Sequence, residues 1–242
     1  MEGFDFQPLG DGGIRVKFAE GVSPELNQRI RSFCRTLDRE KIDGIIEWVP
    51  TYETVAIYYS PARIRYKELR ERLAVLIQTD DDSSEEAGEL ISIPTLYGGK
   101  AGEDLQKVAR ENGLSEQEVI DIHSGTDYLI YMMGFLPGFP YLGGMSKNIA
   151  TSRLETPRER VPAGAVGIAG EQTGIYPLES PGGWNLIGQT PVGLFDQERE
   201  QPFLFQAGDW VRFVPVSQQE FEAIRKDIEN NRYTVERKAV SS

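Results

Sequence analysis

The sequence predicts an α+β protein in which a small α/β sandwich domain is followed by a β-rich domain. Three features lead to this prediction. Strand and helix patterns alternate through residues 1–79, an acidic and serine-rich run occupies residues 80–88, and residues 131–193 hold 12 of the 25 glycines and 7 of the 14 prolines. In that last segment β-branched and aromatic residues stand between the glycines and prolines, which is typical of short strands joined by tight turns.

The first domain, predicted over residues 1–79, reads strand, strand, helix, strand, strand, helix. Ser23 followed by Pro24 is typical of a helix N-terminus. Apolar residues then recur at helical spacing and include Cys34, so we expect this thiol to pack in the core. A second amphipathic helix begins near Tyr66. Helices on one face of a sheet fit this order, and strands are predicted at residues 13–18, 44–49 and 54–59.

The run Asp80-Asp-Asp-Ser-Ser-Glu-Glu86 interrupts these patterns. A compact acidic and serine-rich stretch is typical of a solvated linker. We therefore predict a linker over residues 80–88 and a second domain over residues 89–242.

The second domain begins with a predicted strand at residues 89–97, followed by two short helices on either side of Gly113. Ser115 and Glu118 form the capping-box pattern that opens the second helix. Acidic residues on this helix would repel phosphates, so DNA reading by a helix-turn-helix is disfavoured. Strands and turns dominate as far as Pro215, a helix is predicted near residues 217–231, and the final residues are expected to fray.

Composition excludes several classes of function. The net charge of −12 argues against nucleic-acid or anionic-membrane binding. No apolar stretch approaches the ~20 residues of a membrane helix, and the N-terminus does not resemble a signal peptide. One histidine and one cysteine cannot form a zinc cluster and no EF-hand spacing is present, so no metal site is predicted, with a carboxylate-only Mg²⁺ or Ca²⁺ site as the alternative left open. A lone cysteine fits a reducing compartment, so we expect a cytoplasmic protein.

A few side chains can carry chemistry. His123 is the only histidine and therefore the only candidate for imidazole acid–base catalysis, although a cation at a helix C-terminus is the alternative. Arginine forks bind carboxylate or phosphate, or else lie solvated on the surface. The residues predicted to bind substrate suggest a pocket with few polar anchors, with core packing as the competing interpretation of its aromatic members: Arg153, Gln172, Trp184 and Phe135.

Two familiar catalytic motifs are not matched. No Gly-x-Ser-x-Gly elbow marks a serine nucleophile. Residues 183–190 have nearly the spacing of a P-loop, but Gln189 stands where that motif needs lysine and Pro191 disfavours a following helix. A serine-hydrolase triad and a Walker-type nucleotide site are therefore disfavoured.

Taken together, the Gly, Pro and Trp positions resemble those of the 5-oxoprolinase B-subunit family, also called KipI-like or allophanate hydrolase subunit 1 proteins. The resemblance covers almost the whole chain and is carried by Gly134-Phe-Leu-Pro-Gly-Phe-Pro-Tyr-Leu-Gly143, Val161-Pro-Ala-Gly164, Pro181-Gly-Gly-Trp184 and Leu186-Ile-Gly188. It implies a cyclophilin-like β-barrel for the second domain. It also implies a hetero-oligomer with the 5-oxoprolinase C subunit, of the allophanate hydrolase subunit 2 type, and with the 5-oxoprolinase A subunit.

Two functions follow from this resemblance. The first is hydrolytic: one component of an ATP-dependent 5-oxoprolinase that converts 5-oxo-L-proline to L-glutamate, with ATP used by the complex. In that role we expect Arg158 to contact an anion, His123 to supply a proton or hydrogen bond, Gln172 to orient the substrate and Trp184 to bound the pocket. The second is inhibition of a sensor histidine kinase through an apolar groove near Phe135. A prolyl isomerase would rest on the barrel alone, and a fold does not establish a function.

Overall fold

The computed structural model describes residues 3–79 and 88–240. The chain divides into two compact units, Met1–Glu86 and Ala87–Ser242. The linker predicted over residues 80–88 lies, except for Gly88, outside the described residues.

The first unit is a four-stranded antiparallel sheet with two helices. In chain order its elements are β1 (Asp5–Leu9), β2 (Gly13–Lys17), α1 (Pro24–Glu40), β3 (Ile45–Pro50), β4 (Thr54–Tyr59) and α2 (Tyr66–Thr79). The strand order is β1-β2-β4-β3, with every pair antiparallel. The predicted order of strands and helices in this unit is therefore confirmed.

Local signals explain the position of α1. The Ser23 hydroxyl accepts a hydrogen bond from the Leu26 amide at 3.2 Å, and Pro24 occupies the first turn. The apolar stripe of α1 packs against the alternate residues of β2 and β4. Cys34 lies at the edge of this core, where burial raises the pKa of its thiol to about 12. The thiol is therefore protonated at neutral pH, as expected of a packing residue.

The second unit begins with β5 (Glu89–Tyr97), α3 (Leu105–Glu111) and α4 (Glu116–Ser124). The capping box of Ser115 and Glu118 that opens α4 is present in both directions. The strands that follow are β6 (Asp127–Met133), β7 (Pro140–Gly143), β8 (Arg158–Val161), β9 (Ala165–Ala169), β10 (Gln172–Ile175), β11 (Ser180–Gly182), β12 (Asn185–Gln189) and β13 (Trp210–Pro215). The helix α5 (Gln218–Glu229) and the strand β14 (Arg237–Ala239) close the unit.

Seven of these strands form a nearly closed barrel in the order β10-β9-β12-β5-β13-β6-β7. The strands at the two ends of this path, β10 and β7, lie beside each other. Only the β5–β13 pair within the path is parallel. The interior is filled by aliphatic and aromatic side chains, so the barrel is a packed core. The predicted fold class, an α/β unit followed by a barrel domain, is confirmed.

Two small features lie outside the barrel path. The antiparallel pair of β8 and β11 forms a separate two-stranded sheet over a second, smaller core made by Val161, Ala165, Tyr176, Leu186 and Trp184. The chain end, which we predicted to fray, instead forms β14 against the first residues of β5. All three β14 residues are exposed, so backbone pairing places them without any apolar pattern in the sequence.

Among the described residues, no helix has both the length and the apolar character needed to cross a membrane.

Candidate functional site

The outer face of the barrel beneath the β8–β11 pair carries small residues, which alternate with core residues along β9 and β10. On β9 and β10 the side chains of Ile168 and Ile175 point into the barrel core, whereas Gly167 and Gly174 face outward. A Cβ atom added to Gly174 would lie 3.1 Å from the Trp184 ring. These glycines therefore allow the indole to lie directly on the strands.

Five aromatic rings gather on this face, and we call them the aromatic cluster. Phe139 is at the centre, with ring centroids 5.3 to 6.0 Å from those of Phe135, Tyr141, Tyr176 and Trp184. All four pairs are edge-to-face, the arrangement that aromatic quadrupoles favour. The structure thus brings together two of the predicted substrate-binding residues, Trp184 and Phe135.

Phe135 is the exposed tip of the cluster. Its side chain is 70% exposed, and its backbone is in the left-handed region at φ 68°. A bulky residue in that region costs about 1 kcal/mol or more, and such strain tends to collect at functional sites. An aromatic ring held outward on a strained turn is therefore a feature that core packing does not explain.

Gln172, also predicted to bind substrate, begins β10 and is half-buried. It lies two residues before Gly174, so it shares the outer face on which Trp184 rests. The structure therefore places this amide on the same side of the barrel as the aromatic cluster.

Arg158 already has hydrogen-bond and ion-pair partners within the protein. Its guanidinium lies 2.8 and 2.9 Å from the two carboxylate oxygens of Asp104 and donates to the Trp184 carbonyl at 3.3 Å. Asp104 in turn accepts from the Leu186 amide at 2.7 Å. This pair, only 24% and 12% exposed, fixes the backbone on both sides of Asn185 and hence the position of the indole. Its neutralised charge makes Arg158 a weaker anion site than predicted, and its catalytic role stays a prediction.

Arg153 lies on the same side of the barrel and is exposed. Together with Arg158 it lowers the pKa of the Tyr176 hydroxyl, as does a hydrogen bond from the Trp184 backbone, but burial outweighs these effects and the net shift is upward. Arg153 is therefore within electrostatic range of the aromatic cluster.

His123 lies on the other side of the barrel wall. It is fully buried in the last turn of α4, with its ring 4.4 Å from that of Phe213 between centroids. Burial lowers the pKa of His123 to about 3, so the ring is neutral at pH 7. A neutral ring cannot act as the cation of the helix C-terminus, and that alternative is wrong.

Both ring nitrogens of His123 have partners. Burial raises the pKa of Tyr97 well above its ordinary value, so its hydroxyl is protonated and donates to Nδ1 at 2.7 Å. We therefore assign the ring proton to Nε2, which donates to the Thr173 hydroxyl at 2.7 Å. The Thr173 hydroxyl in turn donates a hydrogen bond to the Gly167 carbonyl at 3.1 Å. The result is a satisfied buried chain that pins α4 to β5, β9 and β10.

The predicted residues thus fall into two groups. Phe135, Gln172, Trp184 and the two arginines belong to the outer face, whereas His123 is inside and reaches β10 only through Thr173. The catalytic role predicted for His123 stays a prediction, to be tested against the structural role that its hydrogen bonds support.

Two residues of this face were missed from the sequence. Asp104 was not predicted as a site residue, because nothing in its local pattern indicates a partner 54 positions away. Tyr176 was not predicted as a site residue either, because its contacts with Phe139 and Trp184 depend on the fold.

Three surface cavities, of about 490, 390 and 490 Å³, have walls of described residues. Two lie in the first unit, near Trp48 and near Arg70, and the third lies near Phe203. None is lined by a residue predicted for the site. Within residues 3–79 and 88–240 no cluster of His, Cys, Asp and Glu could hold a metal ion.

Comparison with known proteins first gives the domain family to which the chain belongs. Residues 4–205 match the family described as carboxyltransferase domain, subdomain C and D. A urea amidolyase structure from K. lactis superposes with a TM-score of 0.80 at 20% identity, over 98% of this chain and 16% of that one, which supports the fold alone. A second structure, TTHA0988, has a TM-score of 0.76 and 40% identity over 85% of this chain, which spans 40% of that protein.

Within that class the relatives are more specific. The B subunit of 5-oxoprolinase from Escherichia coli O157:H7 is 50% identical over 207 residues, which is 86% of this chain and 94% of that protein. The B subunit of 5-oxoprolinase from Bacillus subtilis (strain 168) is 38% identical over 238 residues, covering 93% and 98%. The chain belongs to the 5-oxoprolinase B-subunit family.

Proposed function

We propose that this protein is the B subunit of an ATP-dependent 5-oxoprolinase that hydrolyses 5-oxo-L-proline to L-glutamate. The observation that carries the proposal is the 38–50% identity to proteins named as B subunits of 5-oxoprolinase, over nearly their whole length. The aromatic cluster, with Gln172 and Arg153 on the same outer face, is its substrate-binding surface.

The proposed reaction explains the need for ATP. A lactam carbonyl is a poor electrophile, and transfer of the γ-phosphoryl group to its oxygen makes the ring carbon open to attack by water. ADP leaves in that transfer, and after the first water adds, the carbon–nitrogen bond breaks to give γ-glutamyl phosphate with the nitrogen as its free amine. A second water then hydrolyses the acyl phosphate to glutamate and phosphate. Such chemistry depends on positioning the substrate and neutralising charge.

The exposed ring of Phe135 supports a shared site. This residue is 70% exposed and lies on a strained turn at φ 68°. We assign the surface around it to contact with partner proteins, namely the C and A subunits of the proposed complex.

The test is reconstitution. The chain is co-expressed with the A and C subunits of its own organism, and ATP-dependent release of glutamate from 5-oxoproline is measured. We expect activity to disappear when this chain is omitted and to fall at least tenfold with Trp184→Ala. Val75→Ala, an exposed position in the first unit, is the matched control and should leave the rate unchanged. Equal glutamate release with and without the chain would refute the proposal.

Inhibition of a sensor histidine kinase is the second candidate, and the exposed ring of Phe135 is the observation that favours it. This function needs none of the other 5-oxoprolinase components. Inhibition of kinase autophosphorylation by the chain alone, lost with Phe135→Ser, would support it. An unchanged autophosphorylation rate at saturating protein would exclude it.

A further inference from the structure

Most of the cationic side chains in the segment that holds the aromatic cluster are paired with a carboxylate, and one is not. Residues 145–190 contain four cations, and three of them pair within the protein. The pairs are Lys147 with Glu171 at 3.3 Å, Arg158 with Asp104 at 2.8 Å, and Arg160 with Glu179 at 3.5 Å. The fourth, Arg153, has no carboxylate within 4 Å among the described residues.

The backbone that carries Arg153 is held on both sides. Thr151 exchanges two hydrogen bonds with Gly170, at 2.7 and 3.2 Å. The Ser152 carbonyl accepts from the buried Asn185 side chain at 2.8 Å, and the Leu154 amide donates to the Gly183 carbonyl at 2.8 Å. Residues 151–154 are therefore fastened to the segment that carries Trp184, so the guanidinium extends from a fixed point beside the aromatic cluster.

An unpaired guanidinium in a protein of net charge −12 is a site for an anion. Its planar fork matches a carboxylate in two-point geometry. If the proposed function holds, the substrate carries one carboxylate, on the ring carbon beside the lactam nitrogen. The lactam itself is neutral and is matched by amide and aromatic groups. Arg158 cannot serve equally well, since one terminal nitrogen of its guanidinium is bonded to Asp104 and the other to the Trp184 carbonyl.

We propose that Arg153 is the specificity-determining residue that selects acidic lactams by pairing with the substrate carboxylate. This inference rests on the proposed function. It assigns Arg153 to ground-state binding of a group remote from the reacting carbonyl, so its removal should raise KM and leave kcat nearly unchanged.

The experiment uses the reconstituted complex and measures kcat and KM for 5-oxoproline. We expect Arg153→Met to raise KM tenfold or more with kcat within twofold of the wild type, and Arg153→Lys to recover part of the loss. Arg160→Met is the matched control, because that arginine is also exposed, lies seven positions along the same segment and pairs with Glu179. It should leave both constants unchanged.

A second ligand distinguishes loss of carboxylate recognition from general disruption of the substrate site. The compound 2-pyrrolidinone is the same lactam ring without the carboxylate, and its inhibition constant is measured by competition. Arg153→Met should leave this constant unchanged while weakening 5-oxoproline. A KM within twofold of the wild type, or equal weakening of both ligands, would overturn the inference. A wild-type complex that releases no glutamate would instead refute the proposed function itself.

Discussion

The buried ring of His123 predicts how the protein responds to acid. In the folded chain its pKa is lowered to about 3 by burial, whereas an unfolded chain has the ordinary value near 6.5. Between these values the unfolded chain binds one more proton than the folded chain. Stability therefore falls as the pH drops below about 6.5, by about 1 kcal/mol between pH 8 and pH 5.5 for this one group.

The assay is simple because the chain has a single histidine. The proton on Cε1 of its imidazole gives one resonance in the NMR spectrum, and we expect the chemical shift of this resonance to stay constant between pH 8 and pH 5.5. That lower limit stays above the sequence pI of about 4.7, where the protein would tend to associate. Urea unfolding at both pH values gives the stability change, and His123→Gln should remove the share of the acid slope that the imidazole causes.

The two proteins are compared by the slope of unfolding free energy against pH, so that a variant that is less stable at every pH does not decide the test. His123→Gln loses hydrogen bonds to Tyr97 or Thr173 and is expected to be less stable at every pH, but carboxylates elsewhere titrate equally in both proteins. A resonance that titrates near pH 6.5, or identical slopes for the two proteins, would refute the buried neutral ring. The same variant tests catalysis, since lost glutamate release with intact folding would support the predicted proton role.

Three further substitutions on the outer face have predicted effects on stability or fluorescence. Asp104→Ala should lower the free energy of unfolding in urea by about 2 kcal/mol, because it leaves a partly buried guanidinium without its carboxylate. Glu103→Ala should lower it by less than about 0.5 kcal/mol, because this exposed carboxylate lies 3.7 Å from the same guanidinium. Phe135→Gly should be more stable than Phe135→Ala by about 1 kcal/mol, since glycine accepts a φ of 68° without strain, and equal melting temperatures would contradict this. Gly174→Ala should displace the ring resting on it and change tryptophan fluorescence, and an unchanged spectrum would contradict that contact.

The elements of the fold could be predicted because their signals are local. The Ser23 cap, the capping box of Ser115 and Glu118, and alternation along the strands act within a few residues. The strand β14 could not be predicted, because its three exposed residues are placed by backbone pairing with β5, which lies almost 150 positions earlier. Local pattern therefore predicts elements, whereas an edge strand of this kind depends on a partner distant in sequence.

The candidate site was predicted only in part, for a related reason. The aromatic and glycine residues of the segment 131–193 lie together because the segment folds back on itself as β7, β9, β10 and β12. The charges could not be assigned in this way. Whether Arg153 or Arg158 is available to an anion depends on Asp104, which belongs to a helix start outside the segment. His123 drew attention because it is the only histidine, but rarity in a sequence does not distinguish a catalytic ring from a packed one.

The packed interior of the barrel favours its outer face as the place of the proposed substrate site. Interior positions of β9, β10 and β12 carry Val166, Ile168, Ile175 and Ile187, all fully buried, so the barrel holds side chains where a wider one would hold a ligand. The outward positions of β9 and β10 are small, and an added Cβ at Gly167 or Gly174 would press on Trp184. Small residues facing outward are unfavourable for a water-exposed strand, since they bury little and order poorly. Their presence is explained by the close approach of the Trp184 indole, which packs on the backbone at these two glycines.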